Sequence, residues 1–83
     1  MPTGKMIHVK AIWDDEADVW VAESDDIPGL ITEASGWERL MEKLRVLIPE
    51  LLEANGMLEE GTESEIPFHL LGERRETIHY RAA

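Results

Sequence analysis

Between Met6 and Asp14, Ile7, Val9, Ala11 and Trp13 fall on one side of an alternating pattern and His8 and Lys10 on the other. A period of two predicts a strand with one face buried. Asp14-Asp15-Glu16-Ala17-Asp18 then makes a short polar turn, and Val19-Trp20-Val21-Ala22-Glu23 is rich in β-branched and aromatic residues. The two runs predict an antiparallel hairpin. Trp13 and Trp20 flank its turn, and whether they face each other depends on a register that the sequence leaves open. In Ile27-Pro28-Gly29-Leu30, Pro presets φ and Gly supplies the positive φ of a type II turn. Leu30 to Ala34 follows as a third short strand of a meander.

The period then changes. Ser35 with Glu38 three residues on is a capping-box pattern, and Trp37, Leu40, Leu44, Leu47 and Leu51 recur at spacings of three and four. An amphipathic helix is predicted from near Gly36, with Met41, Ile48 and Leu52 widening its apolar stripe and Glu38, Arg39, Glu42, Lys43 and Arg45 facing solvent. Pro49 lacks an N–H, so the helix either kinks there or breaks and restarts. Asn55-Gly56 is its stop. An acidic loop from Glu59 to Glu65 leads into a fourth strand, Ile66 to Leu71, whose Pro67 suits an edge or a strand start. Beyond Gly72, bases outnumber acids, and Ile78 with Tyr80 suits either a short added strand or a clasp on a partner. The predicted fold is α+β: a small antiparallel sheet in the order β-β-β-α-β with one long amphipathic helix on one face.

Length confines this to one domain spanning residues 1–83, with a core over about 6–71 and a tail over 72–83. Chains this short bury little more than half of their unfolded surface, so a homodimer or higher homo-oligomer is expected. The absence of cysteine excludes disulfides and a thiolate nucleophile. No apolar run approaches the roughly 18 residues of a membrane span, and the first residues lack a signal-peptide core. A cytoplasmic location is expected. Net charge is -10, which argues against direct binding to nucleic acid phosphates. Between Lys10 and Arg39 there is no base at all, while Asp14, Asp15, Glu16, Asp18, Glu23, Asp25, Asp26, Glu33 and Glu38 accumulate. This is either a solvated face or a docking surface that steers a basic protein, with Asp14, Asp15, Glu16, Asp18, Asp25 and Asp26 as candidate contacts.

Chemical motifs are sparse. The run from Asp14 to Asp18 resembles the start of a calcium loop but lacks its turn Gly and closing Glu. His8, His69 and His79 show no metal-ligand spacing, Ser24 sits in no nucleophile elbow, and Gly29 and Gly36 form no phosphate loop. No metal, cofactor or catalytic residue is expected.

The order of these segments carries a resemblance. The hairpin Trp13-Asp14 to Val19-Trp20-Val21-Ala22, the turn Asp26-Ile27-Pro28-Gly29-Leu30, and the helix with Pro49-Glu50-Leu51-Leu52-Glu53-Ala54-Asn55-Gly56 resemble the DUF1902 family, a branch of the HicB-like antitoxins, over about residues 6–71. The resemblance implies a partial ribonuclease H-like fold without nuclease activity. It further implies a non-enzymatic module that binds and masks a small basic mRNA-cleaving toxin, HicA-like. Only a dozen residues follow Leu71, too few for the C-terminal DNA-binding domain of complete systems. Two alternatives stay open: a stand-alone homodimer with another cytoplasmic role, and a small ligand-binding domain or enzyme using Asp25, Asp26 or His69 in a cleft.

Overall fold

The computed structural model describes residues 6–58 and 65–83. Most of the expected acidic loop, residues 59–64, and the chain start, residues 1–5, lie outside the described residues. The elements are β1 (Ile7–Asp14), β2 (Val19–Glu23), β3 (Ile31–Ala34), α1 (Trp37–Ala54) and β4 (Phe68–Glu73). They form one four-stranded sheet in the order β3-β2-β1-β4 with α1 against one face.

Class and element order are as the hydrophobic pattern predicts, but the sheet is mixed. β1 pairs antiparallel with β2, and β2 with β3, whereas β4 runs parallel to β1. The cause is geometric. An up-down meander leaves β3 pointing the same way as β1, and a helix returning across the sheet restores that direction for the next strand. With β2 already between them, β4 takes the free side of β1, so the expected antiparallel pairing holds for β1, β2 and β3 and the added β4 makes the sheet mixed.

Alternation decides which side chains meet the helix. Ile7, Val9 and Ala11 of β1, Ala22 of β2 and Ala34 of β3 join Ile27 and Leu30 of the intervening loop beneath Leu40, Leu44, Ile48 and Leu52. The helix therefore seats a row at spacing four, with Trp37, Leu47 and Leu51 partly buried at its flank. Each fully buried leucine or isoleucine here contributes about 1.5–3 kcal/mol. No buried polar side chain lacks a partner among the described residues.

The local signals resolve in detail. Leu30 N–H donates to the Ile27 carbonyl at 3.2 Å and Gly29 has φ of 84°, the type II geometry expected of Pro-Gly. The expected capping box does not form: Gly36 is the N-cap, and no side chain caps it. The helix continues through Pro49 without breaking, held by the buried row on both sides of it. It ends in a Schellman motif, with Gly56 at φ 68° and N–H bonds from Gly56 to Glu53 and from Met57 to Leu52. Asn55 Nδ2 also donates to the Pro28 carbonyl at 3.2 Å, which ties the helix end to the Pro-Gly turn.

Trp13 and Trp20 are directly paired across the hairpin. Their rings meet edge to face at 5.5 Å, and Trp20 meets Trp37 of α1 at 5.0 Å. Gly72 of β4 lies under this cluster, where a Cβ would run into the Trp37 ring. β4 is an edge strand, and Pro67 stands just before it, its carbonyl accepting from Ile7 N–H at 3.0 Å.

Candidate functional site

The face of the sheet away from α1 carries His8, Lys10 and Ile12 of β1, Val21 and Glu23 of β2, Ile31 and Glu33 of β3, and His69, Leu71 and Glu73 of β4. Register sorts them into rows. Glu73, Ile12, Val21 and Glu33 lie side by side, then Leu71, Lys10, Glu23 and Ile31, and finally His69 beside His8. No described element covers these rows. Ile12, Ile31 and Leu71 are consequently 47%, 66% and 56% exposed. A shallow depression of about 350 Å³ opens on the His8 end, lined by His8, Lys10, Glu23, Asp25, His69 and Leu71 among others.

This depression is built by a side-chain substitute for strand pairing. β1 outruns β2 at His8, so that residue has no backbone partner on that side. Asp26 Oδ2 accepts from His8 N–H at 2.7 Å, and Ser24 Oγ donates to the His8 carbonyl while accepting from Asp26 N–H at 3.1 Å. Those two side chains close the ladder where the backbone leaves it. The Ser24 hydroxyl thus donates to one backbone group and accepts from another. His8 and His69 stack edge to face at 5.9 Å. Among the described residues, no group of three or more His, Asp or Glu side chains is arranged to hold a metal ion.

The six acids predicted as partner contacts are not brought together. Asp14 ends β1 and Asp15, Glu16 and Asp18 occupy the hairpin loop beyond it, whereas Asp25 and Asp26 follow the other end of β2. Five strand residues separate the groups, a distance of roughly 17–20 Å. Nor are all six free for a partner. Asp14 Oδ1 accepts from the N–H groups of Glu16 and Ala17 at 3.0 and 3.2 Å, and Asp15 Oδ1 accepts from Trp13 Nε1 at 2.9 Å. Asp18 adopts φ of 55°, a left-handed conformation that Asp tolerates better than most residues. Asp14, Asp15 and Asp26 are thus engaged within the chain, while Glu16, Asp18 and Asp25 make no side-chain hydrogen bond among the described residues and project exposed from the two ends of the sheet. The sequence pattern placed His8 and Lys10 on the polar face; their union with His69 and Leu71 required the parallel register of β4.

At the hairpin end, the Arg74 guanidinium lies 4.1 Å from the Trp13 ring centroid and bonds Glu76 at 2.9 Å. Beyond Glu76 the chain runs exposed to Ala83.

A helix laid on one face of a mixed four-stranded sheet, with the opposite face uncovered by any described element and acids at both ends, defines a small α+β domain. This chain belongs to the family described as Domain of unknown function (DUF1902), which it matches over residues 6–82. It is similar to a solved structure, the crystal structure of hypothetical protein TTHA1013 from the extremely thermophilic bacterium Thermus thermophilus. The two share 47% sequence identity over 92% of this chain and 100% of that one, with a TM-score of 0.66. Comparison with curated proteins finds no match. No described helix is long and apolar enough to cross a membrane.

Proposed function

We propose that this chain is a non-enzymatic, antitoxin-type interaction module of the cytoplasm that binds and masks a small basic mRNA-cleaving protein. The observation that carries the reading is the uncovered sheet face. Ile12, Ile31 and Leu71 stand exposed there beside Glu23, Glu33 and Glu73, and Glu16, Asp18 and Asp25 flank it. Aliphatic side chains set among acids are the composition of a contact surface with a polar rim. The side chains on this face do not converge as a nucleophile, base and oxyanion donor would. Strong negative charge favours a basic protein and repels nucleic acid.

The reading is tested by co-expressing the chain with any short basic protein encoded beside it and purifying through one partner. A one-to-one complex that protects RNA from cleavage is expected. Leu71→Asp, at an exposed position, should abolish the complex while leaving the fold intact. Glu16→Lys with Asp25→Lys should slow association about ten-fold at low salt and much less at high salt. Association unaffected by these charge reversals at every salt concentration, with Leu71→Asp also without effect, would rule out this face as the docking site.

A further inference from the structure

The C-terminal residues do not pack on the body from which they emerge. Residues 74–83 run without turn or bend, and every one of them is exposed, Ile78 at 88% and Tyr80 at 82%. The radius of gyration is 16.2 Å and the longest extent 65 Å, against 22 and 20 Å across. A compact chain of this length has a radius near ~12 Å. From Phe68, level with Ile7 at the start of β1, to Ala83 the chain runs on for sixteen residues, roughly 50 Å at about 3.3 Å each, so the arm supplies most of the elongation.

The arm is built like a strand. It continues β4 directly, and Thr77-Ile78-His79-Tyr80 interleaves β-branched and aromatic residues with polar ones. Of the chain's eight bases and eighteen acids, three bases and one acid lie in residues 74–83, giving the arm +2 and the remainder -12. An arm of that sign, held away from its own body, is complementary to the body of another copy. The sheet offers two outer edges. At the β3 edge the Lys43 ammonium already bonds the Glu33 carbonyl at 2.6 Å, a charged cover of the kind that blunts strand addition. The outer edge of β4 has no such cover among the described residues.

We infer that β4 and the arm of one copy pair antiparallel with the same segment of a second copy. Each arm lies along the partner's β4 edge, and the two four-stranded sheets join into one. The arrangement is isologous, so both arms and both edges are satisfied by a single two-fold axis. The residues beyond Glu76 reach about 23 Å, enough to cover β4, which spans about 20 Å. This interface is distinct from the open sheet face and does not rest on the existence of a basic partner.

The experiment uses the purified chain alone. Light scattering and sedimentation should give a dimer of twice 9.5 kDa for the full chain. A chain ending at Glu76 keeps the Arg74 contact with Trp13 and loses no buried residue, so its circular dichroism should be unchanged while its dimer dissociation constant rises about a hundred-fold or more. Ile78→Asp should act in the same direction. In the full-chain dimer, amide hydrogens of residues 77–81 should exchange about ten-fold or more slowly than in a chain diluted to monomer. A full chain that stays monomeric at the highest soluble concentration, a truncated chain that dimerises equally well, or arm amides that exchange freely in the dimer would each overturn the inference.

Discussion

Gly72→Ala provides a sharp test of how the tryptophan cluster is assembled. An added Cβ at this position would run into Cζ3 of the Trp37 ring and lie 2.6 Å from its Cη2 and 3.3 Å from Trp20. Those atoms are the tip of a side chain, but the ring cannot swing away freely because it stands edge-on against Trp20 at 5.0 Å, which in turn meets Trp13 at 5.5 Å. One methyl group must therefore displace the start of α1 or the outer strand. Overpacking of this kind costs about 1–3 kcal/mol. Gly72 is not among the residues with positive φ, so replacing it also narrows the unfolded ensemble and returns about 0.4–1 kcal/mol. The net expectation is a destabilisation of about 1–2 kcal/mol, a fall in Tm of roughly 5–15 °C for a chain of this size. Thermal unfolding followed by circular dichroism measures it. In a Trp37→Leu background the clash with Trp37 is gone and only the 3.3 Å approach to Trp20 remains, so the same Gly72→Ala change should become close to neutral, or stabilising by up to about 1 kcal/mol where Trp20 gives way. Gly72→Ala that leaves Tm unchanged or raises it in the parent chain, or that costs the same in both backgrounds, would refute the close approach.

Two further pairs of substitutions examine other parts of the fold. Leu44→Asp places an unpaired charge at a fully buried position and should cost about 4 kcal/mol or more, comparable to the whole stability of a small domain, with loss of helical ellipticity at room temperature. Leu47→Asp, at the half-buried flank of the same helix, should cost markedly less and leave a folded chain with lowered Tm. Asp26→Ala removes the acceptor for His8 N–H and should cost roughly 0.5–1.5 kcal/mol in urea unfolding, whereas Asp25→Ala should stay within about 0.5 kcal/mol of the parent. Equal effects at the two positions would show that Asp26 does not complete the β1 ladder.

Local physics is legible in this sequence without coordinates. Period-two alternation, the Asp14 to Asp18 turn, Pro28-Gly29, and the apolar spacing of α1 each act over a few residues, and each produced the element expected. The Ser35 and Glu38 pattern failed because a capping box needs one backbone conformation as well as two residue types; here Gly36 takes the cap position instead. Pro49 was ambiguous for a related reason. Its local preference opposes the helix, and burial of Leu44, Ile48 and Leu52 against one sheet overrides it.

What the chain could not declare by itself is whatever depends on which strands become neighbours. The direction of β4 follows from the meander and the returning helix, and with it the meeting of His69 and Leu71 with His8 and Lys10, and of Gly72 with Trp37. The block of acids shows the same division. Its composition was plain, yet only the folded sheet separates Asp14 to Asp18 from Asp25 and Asp26 and engages Asp14, Asp15 and Asp26 within the chain. Short-range propensities fix elements because their partners are adjacent in the chain. The open face, its free edge and the projecting arm are consequences of long-range pairing, where only the assembled backbone decides which groups are already satisfied and which remain for a partner.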